Sequence, residues 1–196
     1  MNRIFSPFIF LICPIFFLVF ATACNPERNQ TTKALVQEMN DSKIKRVTNV
    51  QLTTTVDEWG KALMLTTRKA LTLELTKKPG DSTLCSLENV PAIRRLEKQY
   101  AITIDLLKAK DVTNPALDPK ERDLLGAYVY NARNKLEQND NVQKLNDTLF
   151  VYNSPVATDD IICKTCTDST ALPFVIWRIV FNKREVIRRI NPKKLK

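Results

Sequence analysis

Residues 173 to 190 read PFVIWRIVFNKREVIRRI. From Phe174 to Phe181 the run is apolar except for Arg178, and it is rich in β-branched and aromatic side chains. A run of that length with no polar alternation predicts a strand covered on both faces, hence a central one. REVIRRI, beyond Asn182-Lys183, reads as its hairpin partner. Upstream, Val142–Leu145 and Leu149–Val156 predict a second pair of strands, joined across Asn146-Asp147, a polar pair suited to a tight turn. A further strand is expected at Ala101–Leu107 (AITIDLL).

The segments before and between these strands carry helix signals. DVTNPALDPKE, with two prolines, is a loop that ends at Asp118. Asp118 as N-cap, Pro119 at the first helical position and Glu121 at the third predict a helix running to about Glu137. Between Lys33 and Lys78 there is one glycine, Gly60, and Val56, Trp59, Leu63, Ala70 and Leu73 fall on helical spacings. That stretch predicts one long helix or two abutting ones, closed by Pro79-Gly80. Asp81 is suited to cap a second helix over residues 82–100, which Pro91 should break or kink. Helices followed by a small antiparallel sheet with an embedded helix make an α+β domain.

The N-terminus has a different character. After Asn2 and Arg3, residues 4–20 are rich in Phe, Ile and Leu, and Ala21-Thr22-Ala23 precedes Cys24. A short apolar run followed by small residues is an export signal, and Pro7 and Pro14 disfavour a stable membrane helix. Cysteine directly after small residues resembles the lipobox of bacterial lipoproteins, in which that cysteine is acylated. The expected organisation is a signal peptide over 1–23, a polar tether over 24–33 with lipid on Cys24, and one domain over 34–196. Asn25 favours the outer membrane, with the domain facing the periplasm. The whole chain has 30 basic and 21 acidic residues, a net charge of +9, and seven of the basic residues lie between Lys183 and Lys196. An exported protein meets little nucleic acid, so none is expected as a partner, and the basic tail reads as a solvated or lipid-facing segment.

CKTCT, residues 163–167, carries the chemistry. Cys163 and Cys166 form the front of the covalent haem signature C-x-x-C-H, yet Thr167 stands where histidine is required, and the chain has no histidine. Without histidine no Ser-His or Cys-His pair can form, and three glycines leave no phosphate-binding loop, so no enzyme is expected. In an oxidising compartment the pair reads as a Cys163–Cys166 disulfide or as two inert thiols. A thiol oxidoreductase is the sharper alternative. Zinc would need a fourth ligand from a carboxylate such as Asp159, Asp160 or Asp168, and no metal is expected. Cys85 reads as a small buried apolar residue. The acidic pairs Asp57-Glu58 and Asp159-Asp160 read as solvated surface, and Trp59 and Trp177 as core.

Several local patterns occur in a particular order. Leu84-Cys85-Ser86 is followed by Asn114-Pro115, Asp118-Pro119 and Glu121, then Tyr128–Asn131 and Asp140-Asn141-Val142. Tyr152, Ser154 and Pro155 then precede Cys163 and Cys166. In this order, from Thr53 to Arg189, the chain resembles a bacterial family of exported c-type haem proteins with a PAS-like sensor fold. The resemblance implies that Cys163 and Cys166 would hold a macrocycle through thioethers. Cys85 would supply the distal axial thiolate, and Thr167 would occupy the place of the proximal histidine. A threonine hydroxyl is a poor iron ligand beside imidazole. Lys164, Met39 and Met64 are the remaining donors. The expectation is therefore a lipoprotein sensor or ligand-binding domain degenerate for covalent haem, without a cofactor. It would take a small apolar ligand or an envelope protein partner. A haem protein with unconventional ligation and a disulfide-exchange protein are the alternatives.

Overall fold

A computed structural model describes residues 47–168 and 172–190, together with Lys33, Leu35 and Val36, which are helical. The chain divides into units at residues 1–44 and 45–196, and the fold below is that of the second. Residues 1–23, expected as a signal peptide, lie outside the described residues, as do Cys24, Met39 and the lysines after residue 190. Among the described residues no helix is long and apolar enough to cross a membrane.

Helix α1, Asn49–Lys77, starts at a capping box: the Thr48 hydroxyl accepts from the Gln51 N–H while the Gln51 side chain accepts from the Thr48 N–H. Its buried seam is Leu52, Val56, Gly60, Leu63, Thr67, Leu71 and Leu75. The expected stripe shares Val56 and Leu63 with this seam but departs from it in the second half, where Leu73 is 56% exposed. Thr67 explains the departure. Its hydroxyl donates to the Leu63 carbonyl at 2.7 Å, so a polar residue sits in the seam with its one donor satisfied inside the helix.

Beyond Pro79-Gly80, Asp81 caps a 3-10 helix, Ser82–Ser86, rather than a full helix. Leu87 ends it in the left-handed region at φ 63°, with its side chain buried in the core. Pro91 then opens α2, Pro91–Tyr100, at a position where the missing N–H costs nothing. Strand β1 is Ile102–Lys108, followed by a 3-10 turn, Ala109–Thr113. Helix α3, Pro119–Arg133, begins at the expected box of Asp118 and Glu121. It stops four residues before Glu137, because the Asn134 side chain donates to the Tyr130 carbonyl and Lys135 turns left-handed at φ 55°. Strands β2, Asn141–Lys144, and β3, Leu149–Pro155, pair across a turn in which the Asn146 side chain accepts from the N–H groups of Thr148 and Leu149. Helix α4, Ile161–Cys166, separates β3 from β4, Val175–Asn182, and α5, Lys183–Arg189, closes the unit.

The sheet is antiparallel with order β1-β4-β3-β2, so the fold is α+β and the apolar run at 175–182 is internal. The second expected hairpin does not form: REVIRRI lies in a helix and its C-cap. With β1 and β3 already on its two sides, β4 has no free edge for another strand. Locally, Asn182 caps α5 by accepting from the Arg184 N–H, Glu185 pairs with Arg188 one turn on, and Val186 and Ile190 are buried four residues apart.

The two faces of the sheet differ. Ile102, Ile104, Phe150, Tyr152, Trp177, Ile179 and Phe181 meet α1 and its neighbours in the main core. On the other face, Leu107 and Ile176 meet Leu125, Tyr128 and Val129 of α3. That second face also carries a polar rung across all four strands, Asn141–Asn153–Arg178–Asp105, in direct register. Arg178 donates to Asp105 at 2.7 Å and to both oxygens of buried Glu121 at 2.7 and 3.1 Å. Burial works against its charge, but the two carboxylates more than offset this and raise its pKa.

Candidate functional site: the three-cysteine cluster

Two capped segments bring the cysteines together. The Asp81 carboxylate accepts from the Thr83 N–H at 3.1 Å and from its hydroxyl at 2.6 Å, which fixes the 3-10 helix that carries Cys85. Asp160 does the same for α4 by accepting from the Ile162 N–H at 2.8 Å. Its other oxygen takes two contacts from Arg68 of α1, at 2.8 Å from Nε and 2.6 Å from the second nitrogen. The Asp160 side chain is only 6% exposed, so the expectation of solvated surface is corrected here. It caps one helix and ties it to another.

Cys85 and Cys166 are joined in a disulfide with their Cα atoms 5.5 Å apart, and Cys163 is the free thiol. The expected Cys163–Cys166 bond is therefore corrected. Three residues apart on a helix, the two Cβ atoms sit about 5–6 Å from each other. A disulfide needs about 3.5–4.5 Å, so that bond would distort the turn. Cys85 approaches from a separate element without that constraint. The bond spans 81 residues, and on the loop-closure relation it disfavours the unfolded chain by about 4 kcal/mol, against about 2 for a four-residue loop. Nothing in the spacing of the cysteines along the sequence selects this pair.

All three sulfurs lie in the main core, with Cys85, Cys163 and Cys166 at 7%, 0% and 1% exposure. Burial, and next the Asp160 carboxylate, push the Cys163 thiol above its ordinary pKa, although the Val175 backbone acts against this. A reactive cysteine needs the opposite environment, accessible and electropositive. Thr167 caps the end of α4: its N–H donates to the Cys163 carbonyl at 3.1 Å, and its hydroxyl accepts from the Phe174 N–H at 3.3 Å.

These residues do not fit a covalently held haem. Cys166, needed for a thioether, and Cys85, needed as the distal thiolate, are bonded to each other. Thr167 is engaged by backbone, Lys164 is exposed to solvent, and Met64 packs against the core. Among the described residues no three Cys, Asp or Glu side chains group as metal ligands. Of the other two candidates, Asp159 is exposed and Asp168 accepts from the Lys110 N–H.

The described grooves lie elsewhere. One of about 530 Å³ runs along α1 beside Asp160, lined by Leu65, Arg68, Lys69, Thr72, Leu73 and Thr76. A smaller one of about 310 Å³ lies between α1 and α2, bordered by Trp59, Leu96 and Tyr100. No cysteine lines either, and neither was legible as a site in the sequence. The spacing of residues 65, 68, 69, 72, 73 and 76 does mark a second face of α1, which mixes Leu65 and Leu73 with basic and hydroxyl side chains.

No family model matches this chain, and neither a curated protein nor a solved structure shows significant similarity to it.

Proposed function

We propose that this chain is an exported, lipid-anchored sensor or ligand-binding domain of the PAS-like c-haem kind, in which a disulfide stands where the macrocycle would be held. It has no catalytic role. One observation carries the reading: the cysteine that the resemblance makes a distal ligand is bonded directly to the second cysteine of the haem signature. The antiparallel sheet with helices inserted between its strands is compatible with that reading. With the cysteine cluster filled by core side chains, ligand binding moves to the groove along α1. Its volume of about 530 Å³ falls in the usual range of about 300–1,000 Å³ for small-molecule sites. Leu65, Leu73 and the methyl groups of Thr72 and Thr76 suit an apolar ligand there, with Arg68 and Lys69 at its side.

The test is to express the protein in a host with c-type haem maturation and to record its visible spectrum and intact mass. The expected product is colourless and lacks the two hydrogens of one disulfide. A Soret band that survives acid–acetone extraction, with the mass of one haem added, overturns the reading. Thr167→His is expected to stay colourless as well, because supplying the imidazole does not release Cys85 and Cys166.

A further inference from the structure

Cys163 is a buried nucleophile with no assigned task. It lies in the same apolar cluster as the Cys85–Cys166 bond and three residues from Cys166 on the same short helix. Thiol–disulfide exchange needs only a thiolate and access to a disulfide sulfur. We propose that the three cysteines form an internal disulfide switch, in which the bond moves from Cys85–Cys166 to Cys163–Cys166. The inference rests on the bond that carries the proposed function, and it assigns a use to the sulfur which that bond leaves over.

The step balances within the molecule. The Cys163 thiol gives its proton to solvent, and its sulfur attacks Sγ of Cys166. The Cys163–Cys166 bond forms as the Cys85–Cys166 bond breaks, and Cys85 leaves as a thiolate that takes up a proton. One disulfide and one thiol exist before and after, so no oxidant or reductant is consumed. What changes is the fold's connectivity: the 3-10 helix Ser82–Ser86 is released from α4.

Two features keep the switch closed at rest. Cys163 is 0% exposed and is held as a thiol by burial and the neighbouring Asp160 carboxylate. The new bond also requires the last turn of α4 to open, since three-apart cysteines on an intact helix sit too far apart. Helix α4 has only six residues, and one of its outer anchors is the Arg68–Asp160 pair, in which Arg68 is half exposed. Opening of that short helix therefore governs the exchange, as a local event short of global unfolding. Its position beside the α1 groove places the control contact, Asp160, in that groove's lining.

Trypsin separates the three sulfurs onto peptides 78–94, 145–164 and 165–178, so the pairing can be read directly. The full mature protein is held without reductant at mildly alkaline pH and in increasing urea below the unfolding transition. Samples are quenched with a thiol-blocking maleimide and mapped by mass spectrometry, with far-ultraviolet circular dichroism recorded in parallel. The expected result is a growing link between 145–164 and 165–178, with Cys85 blocked, while the dichroism stays native. Cys163→Ser abolishes the rearrangement, and Asp160→Asn speeds it several-fold. If the new link appears only as the dichroism is lost, it is scrambling of unfolded chain, and the proposal fails. It also fails if the Cys85–Cys166 link persists unchanged at every urea concentration at which the dichroism stays native. A haem adduct in the same mass spectra would instead overturn the proposed function, so the two failures are distinguishable.

Discussion

Gly60 of α1 stands against the ring of Tyr152 of β3, where a Cβ on Gly60 would lie 2.8 Å from the tyrosine Cβ and nearer still to its ring. The missing side chain lets a 29-residue helix settle onto the sheet at its centre. In an open helix Gly→Ala gains about 1 kcal/mol. Here overpacking of about 1–3 kcal/mol opposes that gain and wins, because the contact is with a buried ring that cannot swing away. Gly60→Ala should lower the urea midpoint, and Tyr152→Ala in the same chain, which removes the two nearest ring atoms, should shrink that penalty in a double-mutant cycle.

Removal of the long-range disulfide should be felt throughout the unit. Cys85→Ala or Cys166→Ala is expected to lower stability by about 4 kcal/mol. Cys163→Ala should cost about 1 kcal/mol, the loss of a small buried group alone. Chemical denaturation of the three variants, with and without reductant, distinguishes the cases. Reductant should bring the wild type down to the level of the first two.

Asp160 has two tasks that substitutions can separate. Asparagine keeps the cap on α4 but loses the charge that holds Arg68, whereas alanine loses both. Asp160→Ala should cost about 1–2 kcal/mol and Asp160→Asn clearly less. Both should raise the rate at which Cys163 is blocked by maleimide, because the helix that covers it is less firmly held.

Two buried tyrosines predict alkaline sensitivity. Burial, and next the Asp140 carboxylate, push the Tyr128 hydroxyl from its ordinary 10.0 up to about 12. Burial also raises Tyr152, whose hydroxyl donates to Asp140 at 2.6 Å. A pKa raised in the folded state means that the folded chain holds the proton more tightly. The stabilisation is complete below about pH 10 and is lost as pH rises through about 12. Urea midpoints should fall steeply across that window, and Tyr128→Phe should flatten the fall by about 2–3 kcal/mol.

The parts of this fold that were legible in the sequence are those written in local chemistry. Asp118, Pro119 and Glu121 announce α3, Asn146 announces the β2–β3 turn, and the run at 174–181, apolar but for Arg178, announces a central strand. The errors fall where a decision depended on distant neighbours. REVIRRI has the composition of a strand or a helix, and only the occupied edges of β4 decide between them. Leu73 and Leu71 are equally apolar, and the seam of Leu52, Val56, Gly60 and Leu63 against the core places Leu71 inward, with Thr67 tolerated because its hydroxyl bonds within α1. Of the cluster itself, the C-x-x-C spacing was visible, but the pairing with Cys85 joins residues 81 positions apart and depends on how the chain between them folds. Asp160 looked like one of many surface acids because its partner, Arg68, lies 92 positions away.

The Cys85–Cys166 bond also makes a covalent ring that encloses β1, β2 and β3 but leaves α1 and the central β4 outside it. A tensile load entering at one end of the chain and leaving at the other passes through α1, the sulfur bridge and β4, and bypasses the ring. About 280 Å of contour, at about 3.5 Å per residue, is thereby shielded from extension until the bridge is cut. Single-molecule pulling should recover that length only after reductant is added. Under the lipid anchor proposed above, the cysteine pair would set how far the domain can be stretched.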